Sequence, residues 1–71
     1  MKEPIMKALR LKYEGVIAEA KANIEIYLEN PVGIGEHPEV IQAIDSQLEK
    51  VAEAEDKLLV LDNHFTAPRL P

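Results

Sequence analysis

Asn30-Pro31-Val32-Gly33-Ile34-Gly35-Glu36-His37 divides the chain into two stretches of helical period. Pro31 biases Asn30 away from the helical region of backbone space, and the two glycines permit positive φ. Upstream, the apolar periodicity runs from about Pro4 to Glu29, and Pro4 suits a first helical position, where its missing N–H is not needed. Downstream, Pro38 is equally suited to open a helix, with Glu39 facing the positive end of the helix dipole. That pattern continues to about Asp62, and Asn63 fits a left-handed residue just past a helix end. Two helices of ~25 residues with a short connection predict an antiparallel αα-hairpin, an all-α fold. The expected division is a hairpin over residues 1–63, with helices at about 4–29 and 38–62 around a loop at 30–37. Residues 64–71 hold two prolines and read as an extended tail.

A chain of 71 residues makes one domain at most. At this size folding buries only about 60 % of the surface the unfolded chain exposes, so the chain's own core is marginal. Small folds usually add disulfides, a metal or further copies of themselves. The absence of cysteine removes disulfides and thiolate metal sites and suits a reducing compartment. Oligomerisation is the remaining device, so the hairpin is expected to assemble into a four-helix bundle or a larger helical oligomer.

Thirteen acidic against eight basic residues leave a formal charge of −5. That balance opposes nucleic-acid binding, whose affinity rests on neutralising phosphates with Lys and Arg. Tyr13, Tyr27 and Phe65 are the only aromatic residues apart from the histidines, too few for a base-stacking platform. No apolar run approaches the roughly 18 residues of a membrane span. Lys7, Arg10 and Lys12 interrupt every N-terminal apolar stretch, which argues against a secretion signal. The sequence therefore predicts a soluble, cytoplasmic protein without nucleic-acid or membrane partners.

Helical angles of about 100° per residue sort the first helix into two apolar sides. Met6, Leu9, Tyr13, Val16, Ile17, Ala20, Ile24, Tyr27 and Leu28 form the main stripe. Leu11, Gly15, Ala18, Ala22 and Ile26 form a second stripe on nearly the opposite side. One companion helix covers only one of these. Alanine on a surface is explained by its helix propensity alone, but a mid-helix glycine is less favourable than alanine by ~1 kcal/mol. The second stripe is accordingly read as a small-residue oligomer interface, where Gly15, Ala18 and Ala22 admit another helix and Leu11 and Ile26 anchor the ends.

The second helix offers one stripe, Ile41, Ile44, Leu48, Val51 and Leu58, edged by Val40, Ala52 and Leu59. Glu55 interrupts it at a heptad position that asks for an aliphatic. For a hairpin turning near residue 34, position 55 faces position 13. Tyr13 and Glu55 are thus expected to form a buried polar pair that fixes register, as a lone polar residue does in a coiled coil. A catalytic carboxylate is the weaker reading, because no second catalytic group falls nearby.

The remaining chemistry is thin. His37 and His64, with Glu36 and Asp62, invite a metal site, yet one chain holds the two histidines roughly 40 Å apart at 1.5 Å per helical residue. No His-x-x-x-His or Glu-x-x-His spacing exists on either helix. Gly33-Ile34-Gly35 lacks the Lys-Ser/Thr ending of a phosphate loop. Ser46 and Thr66 have no base placed near them. No catalytic residue, metal or cofactor is expected. Val32, Ile34, Phe65 and Leu70 remain as apolar candidates for contacts with a partner.

Residues Ala20 to Pro38, through Asn30-Pro31-Val32-Gly33-Ile34-Gly35-Glu36-His37-Pro38, together with Ala52 to Leu58, resemble small uncharacterised helical-hairpin proteins of tailed phages, including those of marine cyanobacteria. The likeness covers most of the chain and is most distinctive in the loop. It implies no activity and transfers no site residue, but it implies an accessory or virion-associated role in the host cytoplasm. The combined expectation is a non-enzymatic, self-associating hairpin acting through protein–protein interaction. The alternative is a small acidic regulator or inhibitor of a host protein.

Overall fold

The computed structural model describes residues 2–29 and 39–65. They form two helices, α1 (Lys2–Glu29) and α2 (Val40–His64), packed against each other, with no strand among the described residues. The expected loop at 30–37, including Val32, Ile34, Glu36 and His37, lies outside the described residues, as do Pro38 and 66–71 with Leu70.

α1 starts before its expected residue 4 and α2 ends after its expected residue 62, whereas α2 starts at Val40, later than the expected 38. α1 begins at Lys2, which puts Pro4 inside the first turn. This is tolerated because the first four helical N–H groups have no intrahelical acceptor. α2 is preceded by Glu39, whose carbonyl accepts from the Ala43 N–H at 3.0 Å without any side-chain cap. At its far end α2 continues through Asn63 and His64, and the Phe65 N–H donates to the Leu61 carbonyl at 3.0 Å. Asn63 is therefore helical, and so is His64, which was expected to open the tail. The cause is tertiary: Leu61 is buried and Asp62 pairs with Arg10, so the last turn is held against α1.

Cross-helix contacts set the register. Arg10 meets Asp62, Asn23 meets Gln47, and the Lys57 ammonium lies over the Tyr13 ring. Facing positions thus sum to 70–72, about half a turn to one turn away from the expected register. Position 13 lies opposite 57, not 55.

The interface on α1 follows the expected stripe. Ala20 is buried, and Met6, Leu9, Tyr13, Val16, Ile17, Ile24 and Tyr27 are half-buried. Leu28 departs from it and is 66 % exposed. On α2 the inward line is Val40, Ile44, Gln47, Val51, Ala54, Leu58 and Leu61, with the alternating four- and three-residue steps of coiled-coil packing. This line is turned about 60° from the expected stripe, taking 100° per residue. Ile41, Leu48 and Leu59, assigned to the stripe or its edge, are exposed. The reason is steric. Ala20 and Ala54 are the most buried residues, so small side chains set the line along which the two backbones approach. The bulky aliphatics of α2 fall to one side of it.

The result is thin. Among the described residues, no large side chain is fully buried. The chain measures 52 × 23 × 15 Å, with a radius of gyration of 16.1 Å. A compact domain of 71 residues has a radius of about 11 Å. The molecule is one helical layer deep.

Close backbone approach at Ala54 yields a first prediction. Ala54→Leu overfills the seam between the helices and is expected to destabilise the protein by ~1–3 kcal/mol. Ala52→Leu, on the exposed side, should stay within about 0.5 kcal/mol. Urea unfolding followed by circular dichroism measures both, and equal effects would refute the tight line through Ala54.

Candidate functional site

The hairpin presents three distinct surfaces, separated by helical geometry. The first is the outer side of α1. Leu11, Gly15, Ala18, Ala22 and Ile26 are all exposed, with Leu11 at 56 % and Ile26 at 55 %. A Cβ added to Gly15 would meet nothing within 4 Å. Nothing inside this chain therefore requires a glycine at that position. The expected seam is present as a surface, uncovered by α2.

The second surface is the flank on the Tyr13–Lys57 side. Lys12, Tyr13, Val16, Ser46, Glu49, Lys50, Glu53, Ala54 and Lys57 line a half-open groove of about 350 Å³. Lys57 Nζ stands 5.4 Å from the Tyr13 ring centroid and donates to Glu53 at 3.1 Å. The lysines and glutamates of the groove alternate on exposed helix faces, and such pairs contribute only ~0.3–0.5 kcal/mol each. The groove is a solvated charged flank.

The third surface is the opposite flank. Arg10, Ile17 and Ile24 recur every seven residues on α1, and Ile41, Leu48, Glu55 and Asp62 do so on α2. The Arg10–Asp62 contact fixes these two lines on the same side of the hairpin. In the register it sets, Ile17 lies beside Glu55 and Ile24 beside Leu48. Ile17 and Ile24 are half-buried; Ile41 is 84 % and Leu48 51 % exposed. Leu28 and Leu59 stand on the rim of the same flank.

The expected buried pair of Tyr13 and Glu55 is not formed. Glu55 is exposed on the third surface, and Tyr13 is half-buried on the second, under Lys57. The shifted register and the rotation of α2 separate them. The polar pair that does cross the helix interface is Asn23 Nδ2 donating to Gln47 Oε1 at 3.2 Å, with Gln47 9 % exposed. Sequence reasoning missed it, although Gln47 sits midway in the Ile44–Val51 spacing and Asn23 between Ala20 and Tyr27. The Arg10–Asp62 ion pair was missed for the same reason of register. Both of its side chains are more than one-third exposed, so its contribution is small.

Of the remaining candidates, Phe65 is 49 % exposed and packs edge-on against the His64 ring at 6.4 Å and 67°. Asp62 is engaged with Arg10. Among the described residues, no three carboxylate or imidazole groups converge on a common point. No described helix is long and apolar enough to cross a membrane. No protein-family model matches the chain, and no curated protein or solved structure is significantly similar to it.

The Asn23–Gln47 bond yields a second prediction. Asn23→Ala strands the buried Gln47 amide and should destabilise the fold by ~1–3 kcal/mol. The double substitution Asn23→Leu with Gln47→Leu should recover most of that loss, because neither member is then left unsatisfied. A double mutant no more stable than Asn23→Ala in urea melts would show that the amide pair is not the constraint.

Proposed function

We propose that this chain is a non-enzymatic helical hairpin that acts by protein–protein interaction, first of all with further copies of itself. One observation carries the reading: the hairpin is a single helical layer 15 Å deep whose large aliphatics stay open to water. Stable domains bury a shared core between at least two layers. Leu11, Ile26, Ile41 and Leu48 are each more than half exposed. A second hairpin supplies the missing layer and closes a four-helix bundle. The likeness to small tailed-phage proteins extends this reading to an accessory or virion-associated component in the host cytoplasm.

A second reading is favoured by the separation of the apolar surfaces. A bundle formed on one side of the hairpin leaves another side uncovered, and the Leu11–Ile26 seam on the outer side of α1 is then open to a different protein. In that reading the chain is a small acidic regulator or inhibitor of a host protein, or a virion protein's helical partner.

Solution mass separates the two. Sedimentation equilibrium at micromolar concentration should return a dimer or a larger oligomer of the 8.0 kDa chain. A fully helical monomer across that range would overturn self-association and leave the regulator reading.

A further inference from the structure

We propose that a second copy of this chain docks on the flank formed by Arg10, Ile17, Ile24, Ile41, Leu48 and Asp62, around a two-fold axis parallel to the helices. The inference rests on the self-association reading and specifies its surface and geometry.

The first argument is the direction in which α2 is apolar. Its aliphatic stripe, judged by residue spacing, points about 60° away from the line that actually contacts α1, and it turns toward this flank. In a four-helix bundle each helix has two neighbours at roughly right angles, and its apolar centre falls between them. α1 satisfies one edge of the α2 stripe. Ile41, at 84 % exposure, and Leu48 form the other edge and still lack a neighbour. The same holds on α1, where Ile17 and Ile24 are only half-covered and extend the core line toward the same side.

The second argument is charge, and it selects the occupant. An axis parallel to the helices brings each row of the flank against the same row of the other copy, with α1 opposite α2. Ile24 then meets Leu48 of the second copy. Arg10 meets Asp62 of the second copy, so the two ion pairs close into an alternating ring of four charges. Glu55 lies opposite Ile17 of the second copy, with Lys21 of that copy one helical turn away on the rim. A two-fold axis perpendicular to the helices instead sets Asp62 against Ile41 and Glu55 against Leu48, two charged rows on aliphatics, where the parallel axis leaves one, Glu55 against Ile17. The parallel arrangement is the more self-complementary of the two, as an isologous interface requires. The Tyr13–Lys57 flank, lined by solvated lysines and glutamates, has no such apolar rows.

The test combines three variants and a cross-link. Ile41→Glu and Leu48→Glu alter side chains that are exposed in the hairpin, so helicity by circular dichroism should persist. Each introduces a charge at both symmetry-related sites, and the association constant should fall on the order of 100-fold or more. Ala18→Glu, on the outer side of α1, should keep the wild-type mass. Since no described residue is cysteine and the sequence contains none, engineered thiols report alone. Mild oxidation of Ile24→Cys mixed with Leu48→Cys should give the heterologous disulfide in preference to either homologous one. If Ile41→Glu and Leu48→Glu both retain the wild-type mass, or if Ala18→Glu alone dissociates the protein, the flank is the wrong surface, while self-association stands. Loss of association in the flank variants without the mixed disulfide overturns the parallel axis. A wild-type monomer overturns the reading on which the proposal rests.

Discussion

Everything in this molecule follows from the limited arc that one helix covers on another. A neighbouring helix shields a sector of roughly 100°. Each helix here is apolar over more than that. On α1 the excess appears as the Leu11–Ile26 seam and as the half-covered Ile17 and Ile24; on α2 it appears as Ile41, Leu48 and Leu59. The two helices therefore fold onto each other and remain unsaturated. Their shared line is built on Ala20 and Ala54, the two most buried residues. Small residues give close backbone approach but little buried area, and at ~25 cal/mol per Å² the full burial of two alanines and one leucine is slight compensation for ordering the chain.

The architecture was legible because its signals are local and redundant. The proline–glycine segment at 31–35 and the long 3.6-residue periodicity on either side require two helices and a reversal between them. The stripe on α1 was legible for the same reason, since its apolar residues are numerous and their centre is well defined. The orientation of α2 was not. Counting aliphatics locates the middle of its whole apolar arc, whereas the contact with α1 uses one edge of that arc and fills it with Ala43, Gln47 and Ala54. An amphipathic average is blind to that distinction whenever a helix has two neighbours to satisfy. The misplacement of Glu55 follows directly. It looked like a polar intruder in a core because it lies near the centre of the arc, and it is exposed because the centre of the arc is not where α1 sits.

Register was the other illegible quantity. A guessed midpoint of the reversal shifts every facing pair by twice its own error. One or two residues of displacement were enough to replace Tyr13–Glu55 with Tyr13–Lys57 and to hide both Arg10–Asp62 and Asn23–Gln47. These polar contacts illustrate how such a hairpin is specified. Apolar side chains tolerate sliding by a turn, because an aliphatic meets another aliphatic on either side. An amide pair does not: displaced by one turn, the Gln47 amide would face an alkyl group with its desolvation uncompensated. The pair selects one register out of several with similar burial, the role a buried polar residue has in coiled coils.

The same reasoning connects the misread stripe to the proposed assembly. An apolar arc that is centred away from its one helical neighbour among the described residues is what the proposed second copy would cover. For α2 that arc points at the Ile24–Leu48 flank, and the flank carries an internally neutralised Arg10–Asp62 pair in place of a like-charged patch. Net charge opposes the meeting of two chains that each carry −5. The repulsion is spread over the outer faces, where Asp45, Glu49, Glu53 and Asp56 lie, and salt screens it over about 8–10 Å. At the Arg10–Asp62 row of the flank, charges of opposite sign alternate across the proposed axis. In the proposed assembly, local complementarity at short range, where screening is weakest, is set against a diffuse like-charge field at long range. On these terms the incompletely covered apolar arc of an acidic hairpin is what supports the proposed bundle.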